Sequence, residues 1–136
     1  MSLAGAIADV QAKALTLPGV KAAPDNPPEA INQLPFSICY VRTLAQMELQ
    51  SAGFATGLFT LVWELHFARH SLPRAIELAT PYAELFLAKI IADPKLGNTV
   101  STVTSIRGKF GRLSWGGKED QFIGWQFEID VKLRLT

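Results

Sequence analysis

Few side chains in this sequence are able to make or break bonds: one cysteine, two histidines and a scatter of carboxylates. Cys39 lies in the apolar run FSICYV at 36–41. A reactive thiolate needs an electropositive setting and a nearby base, so this cysteine reads as a buried, inert thiol. His66 and His70 are four apart, a spacing that aligns side chains only on a helix, yet the first falls near the end of a predicted strand and the second in the turn after it. With no His-Glu-x-x-His pattern, third ligand or CxxC, they read as a polar strand-face histidine and a surface histidine, and no metal is expected. Glu119 with Asp120, and Asp25 with Glu29, sit in polar, turn-rich stretches and read as solvated surface. The glycines at 108, 111, 116 and 117 have no helix and no Lys-Ser/Thr after them, so they read as hairpin and bulge glycines and not as a phosphate cradle. The expectation is a protein that is not an enzyme and holds no cofactor.

Chemistry of contact is better represented. Arg107, Lys109, Arg112 and Lys118 interleave with Phe110 and Trp115, a pattern that suits nucleic acid or an acidic protein surface. The whole chain has 13 Lys+Arg against 12 Asp+Glu, and 13 − 12 = +1 is too little to drive binding through counterion release. No sequence-specific nucleic-acid partner is expected, and a protein contact remains. Trp63 and Trp125 fall on apolar strand faces and read as core, whereas Trp115, among glycines, is the aromatic with an interface role.

The elements that position these residues follow from periodicity. Leu3, Ile7, Val10 and Ala14 recur at helical spacing, Ser2 can cap the start, and Pro18-Gly19 stops the run. Four prolines between 22 and 35 remove backbone donors and make that segment a loop or arm. Residues 36–41 form a short strand with Phe36, Ile38 and Tyr40 on one side and Cys39 on the other. Residues 43–56 lack a clean period and read as a long hairpin connection. Residues 57–68 show the period of two of a half-buried strand: Phe59, Leu61, Trp63, Leu65 and Phe67 face one way, Thr60, Glu64 and His66 the other. From 72 to 92 Ile76, Ala79, Ala83, Phe86, Leu87 and Ile90 share a helical face; Ser71 and Pro73 suit its start, and Pro81 is expected to kink or split it. A strand at 99–106 follows, then glycine-marked bends. The closing strand alternates Ile123, Trp125, Phe127, Ile129, Val131, Leu133 and Leu135 with Gly124, Gln126, Glu128, Asp130, Lys132 and Arg134.

At 136 residues the chain is one domain, 1–136, long enough to bury roughly two thirds of its unfolded surface without disulfides or structural metal. Charged residues are 18%, below the roughly 25% of ordinary soluble domains, which predicts apolar surface that meets protein. No run is apolar enough for a membrane span, and no signal peptide is recognised. The predicted class is α+β: an antiparallel β-sheet with two α-helices packed on one face and a long hairpin connection. The opposite face is expected to be wet, showing Glu64, His66, Gln126, Glu128, Asp130, Lys132 and Arg134.

Pro18-Gly19-Val20-Lys21 with the proline arm, Leu34-Pro35-Phe36-Ser37-Ile38-Cys39-Tyr40, Leu61-Val62-Trp63-Glu64-Leu65-His66, Leu72-Pro73-Arg74, Ala92-Asp93-Pro94 and Gly124-Trp125 together resemble the tail terminator family of long-tailed bacteriophages. The resemblance covers nearly the whole chain as element order and local phrasing. It implies a virion protein of the tail and neck, assembled in the host cytoplasm as a homohexameric ring. Such a ring caps the tail tube, stops tube polymerisation and offers a docking surface to the head connector or stopper protein, with DNA passing through it. It implies no enzymatic activity and no cofactor. Other neck components, such as head-completion or stopper proteins, have similar size and composition; a small α+β ligand-binding domain or enzyme is the reading from another class. Interface residues are drawn from the loops: Met47, Leu49 and Phe54 in the 43–56 connection, Pro27 and Ile31 in the arm, and Arg112 and Trp115 in the glycine-marked hairpin.

Overall fold

The computed structural model describes residues 1–50, 52–69, 72–116 and 118–135. In chain order they form α1 (Leu3–Leu15), β1 (Phe36–Leu49), β2 (Ala55–Ala68), α2 (Leu72–Ala92), β3 (Thr102–Trp115) and β4 (Lys118–Leu135). The strands make one antiparallel sheet in the order β1-β2-β4-β3, with both helices on the same face. This is the α+β architecture expected from the sequence.

The register explains which residues become core. Cys39 pairs with Trp63 and Trp63 with Phe127, so one row of side chains under the helices runs across three strands. The alternating apolar sets of β2 and β4 fall in register, Phe59 with Val131, Leu61 with Ile129, Phe67 with Ile123, and make a continuous apolar surface. Ala6, Val10 and Ala14 of α1 and Ala75, Ala79, Phe86 and Ile90 of α2 are buried against it. Trp63 is its centre, stacked on Phe86 with ring centroids 3.7 Å apart and on Phe127 at 5.5 Å. Each such large apolar side chain, fully buried, contributes about 1.5–3 kcal/mol. The Ser2 hydroxyl caps α1 by accepting from the Gly5 amide.

Four local expectations change. First, residues 43–49 are strand: β1 runs on to Leu49, β2 begins at Ala55, and the long connection shrinks to 50–54. Two irregularities, between Val41 and Thr43 and between Leu44 and Gln46, break the twofold alternation and hide the strand. Second, of the two outcomes expected at Pro81 the split does not occur: α2 passes through it as one helix. Thr80, just before the proline, donates its hydroxyl to the Ile76 carbonyl at 2.6 Å, and Ile76, placed on the core face by periodicity, is exposed. Third, β3 occupies 102–115, continuing straight through Gly108 and Gly111. Fourth, Glu64 and His66 are buried, as described below. His70, Ser71 and Gly117, and the side chains of Lys118, Glu119 and Asp120, lie outside the described residues.

Gly108 has a packing reason that a bend does not supply. It pairs with Phe127, and a methyl group there would come within 1.9 Å of the Phe127 ring. Gly111 pairs with Gly124 and has open space around its α-carbon. Replacing glycine by alanine in a strand ordinarily stabilises, by about 0.4–1 kcal/mol. Gly111→Ala should follow that rule, whereas Gly108→Ala should destabilise by about 1–3 kcal/mol by displacing Phe127 from the Trp63 stack. Urea unfolding of the two variants checks this, and equal effects would remove the packing argument.

Candidate functional site

The face of the sheet turned away from the helices splits into two halves of different character. Over the half that includes the start of β1, the proline arm folds back as a strap. Ala22 bridges Phe36, with Lys21 N–H donating to the Pro35 carbonyl at 2.9 Å and Ser37 N–H to the Ala22 carbonyl at 2.9 Å. At the far side, Trp115 Nε1 donates to the Pro28 carbonyl at 2.7 Å. Ile31 is buried among Phe36, Ile38, Leu113 and Phe122, with Leu34, Tyr40 and Trp115 packed around them. A second, smaller core therefore lies where a wet surface was expected.

Beneath it sit Glu64 and His66, both essentially without solvent contact. Glu64 accepts from Gln126 Nε2 at 2.7 Å and from the Tyr40 hydroxyl at 3.3 Å, and its other oxygen lies 2.8 Å from His66 Nε2. Burial works to raise the Glu64 pKa, but the hydrogen bonds from His66 and Gln126 outweigh it and hold the carboxyl below its ordinary value. Geometry assigns the Nε2–H tautomer to His66, donating to that carboxylate, which leaves buried Nδ1 with no partner among the described residues. His66 is thus an internal histidine, contrary to the strand-face reading. The missed signal was Phe36-Ile38-Tyr40: this apolar side of β1 shares its face with Glu64 and His66 and had to be covered by something.

Further along the same face the carboxylates become accessible and the cations meet them. Glu128 accepts from Arg42 at 2.5 Å and from Arg107 at 3.2 Å; Asp130 accepts from Arg107 at 2.6 Å, from Ser105 at 2.7 Å and from Thr60 at 2.7 Å. These bonds, Arg107 first, hold Asp130 down to about 2. Arg42, Arg107, Gly108, Lys109, Gln126 and Glu128 line a shallow cleft of about 180 Å³ there. Arg107, read from sequence as part of a free cationic cluster, is consumed by this network, whereas Lys109 and Arg112 are exposed.

The residues proposed from sequence for interfaces separate rather than converge. Leu49 is 84% exposed, and Pro27 and Arg112 are exposed. Met47 is half-buried against the main core beside Gly57. Phe54 lies under the Arg134 guanidinium, 4.0 Å from its ring centroid. Ile31 and Trp115 are spent on the strap. Cys39 is fully buried, and burial pushes its thiol up to about 12. Among the described residues no three potential metal ligands come together. No helix among them is long and apolar enough to cross a membrane.

What stays open is the sheet's two edges. Among the described residues, the β1 edge is covered only at Phe36 and Ser37 by the arm, and the β3 edge only at Val103, whose N–H donates to the Pro94 carbonyl at 2.7 Å. Compared with known proteins, the chain matches no family model and no curated sequence.

The Asp130 network sets an acid response. Because the folded-state pKa is lowered, from 3.8 to about 2, the stability this group contributes is present above about pH 4 and lost as pH falls through about 2. Asp130→Asn should therefore be less stable than the parent at neutral pH, with the gap closing between about pH 4 and 2. Urea unfolding at a series of pH values reads this directly. A gap that stays constant over the window would show that Asp130 carries no linked protonation.

Proposed function

We propose that the protein is a structural virion component that works by packing against copies of itself: a tail terminator that forms a homohexameric ring, caps the tail tube and presents a surface to the head connector. The carrying observation is a sheet with two long unpaired edges, combined with large apolar side chains left in solvent. An unpaired strand edge is a template for another chain, and soluble domains that stay alone commonly cover or shorten it. Here both edge strands are 14 residues long and open over most of their length. Low charge content points the same way, since surface that becomes interface needs less of it. The family resemblance supplies the ring, the tube and the connector as partners; the residues supply the capacity to assemble.

Native mass spectrometry of the purified protein, with negative-stain imaging of the same sample, tests this reading. Six copies arranged around a central opening are expected, alone or after addition of tail-tube subunits. A particle of any other closed symmetry, or a monomer that leaves tube length unchanged when added to polymerising tubes, would overturn it.

A further inference from the structure

Leu15, Leu78, Leu85 and Leu135 are exposed singly, but two groups of exposed apolar residues fall on the helix side of the sheet near its two edges. The hydrogen bonds of Gln11 to Ser37 and Pro24 hold α1 over the start of β1. Beyond it the helix-side positions Val41, Leu44 and Leu49 are 38%, 49% and 84% exposed. At the other end of the sheet, α2 is tied toward α1 by Tyr82, whose hydroxyl donates to the Pro18 carbonyl, and onto β4 by Trp125 Nε1, which donates to the Ala79 carbonyl at 2.8 Å. At helical spacing, the opposite flank of α2 carries Ile76, Ala83, Leu87 and Ile91 on the β3 side. Ile76 and Ile91 are 44% and 77% exposed. One edge therefore has apolar strand without a helix, and the other has apolar helix without a strand.

We infer that copies of this chain join head to tail, the β1 edge of one on the β3 edge of the next, so that α2 of the second copy roofs the bare half of β1 of the first. Strand direction permits it. In the order β1-β2-β4-β3 every neighbour is antiparallel, so β1 and β3 run oppositely, and a copy placed beside another in the same orientation continues the antiparallel sheet.

Charge selects the pairing. On the face away from the helices and among the described residues, exposed Glu48 accepts a hydrogen bond from Gln46 and has no ion-pair partner, and exposed Lys109 has no partner. A register that sets Glu48 opposite Lys109, with the second copy shifted about ten residues along the strands so that 42–49 pair with 108–115, also sets Met47 opposite Phe110 and Leu49 opposite Gly108 on the helix side, where Gly108 carries no side chain to obstruct it. Two β3 edges paired about Lys109 would bring the exposed Lys109 of each copy against the other. Two β1 edges together would leave Val41, Leu44 and Leu49 of both copies without a roof.

The test uses the full chain with single cysteines at the proposed contact. Mixing Glu48→Cys with Lys109→Cys under mild oxidation should give a covalent heterodimer, with neither variant cross-linking alone. A covalent dimer from Glu48→Cys alone would report a two-fold β1–β1 contact and overturn the inference, as would a mixture that stays uncross-linked. Independently, E48K and K109E should each weaken self-association about tenfold in sedimentation, and the E48K/K109E double variant should recover it; a double variant as weak as the singles also overturns it. The inference needs no phage role. Cross-linking without six-fold particles would preserve this contact and end the ring reading, and six-fold particles without cross-linking would do the reverse.

Discussion

The position of Trp63 is the constraint on which the rest of the molecule depends. Its ring lies in the Phe86–Trp63–Phe127 stack, which joins α2, β2 and β4. Its indole N–H donates to the Ser37 hydroxyl at 2.7 Å; that hydroxyl donates to Gln11 Oε1 at 2.6 Å. Gln11 Nε2 then donates to the carbonyls of Pro24 and Ser37, at 2.7 and 3.0 Å. One buried chain of hydrogen bonds therefore ties β2 to β1, α1 and the root of the strap, and every polar atom in it has a partner. Buried polar groups left half-satisfied cost about 1–3 kcal/mol each, so this arrangement tolerates little displacement of α1 along β1. That is why α1 sits over the start of β1, and why the second half is left bare.

How much of this was legible depends on whether the deciding partner was local. β2 and the last strand could be read because every second residue is large and apolar over a long run, and the register then follows from matching those faces. The tail of β1 could not, since two bulges shift the phase and turn a strand of 14 residues into what looks like an aperiodic loop. Glu64 and His66 looked wet because their types are polar. Their burial comes from a strap whose contacts reach Trp115, 87 residues away from Pro28 in sequence, and no window along the chain contains that fact. Gly108 was visible as a glycine but not as a space for Phe127, because that requires knowing which residue it faces.

The outer face shows how one strand pattern serves two environments. Thr60, Glu64 and His66 alternate with apolar neighbours just as a solvent-facing set would, and Asp130 and Glu128 continue the pattern on β4. Under the strap the carboxylate is satisfied by neutral or singly donating groups, Tyr40, Gln126 and His66. Where the strap ends, arginines take over. The guanidinium is planar and weakly hydrated, which lets Arg107 span two carboxylates at a partly open site. Arg42 and Arg107 are thereby neutralised, and Lys109 is left beside them with no ion-pair partner among the described residues.

A sheet with two open edges meets a hazard that its own chemistry must limit. Head-to-tail addition of an edge to a different edge has no intrinsic stopping point: it yields a ring if the rotation between copies closes and a filament if it does not. The bulges in β1 and in β3 bear on this, because each bends and twists its strand and so prevents the flat, extended edge that indefinite stacking requires. Closure also removes the exposed apolar side chains of both edges from water at every junction, whereas a filament always leaves one bare edge at each end. The same features that would make an isolated copy prone to sticking, uncovered Leu44 and Leu49 beneath no helix and Ile76 and Ile91 above no strand, become complementary once the sheet has no ends.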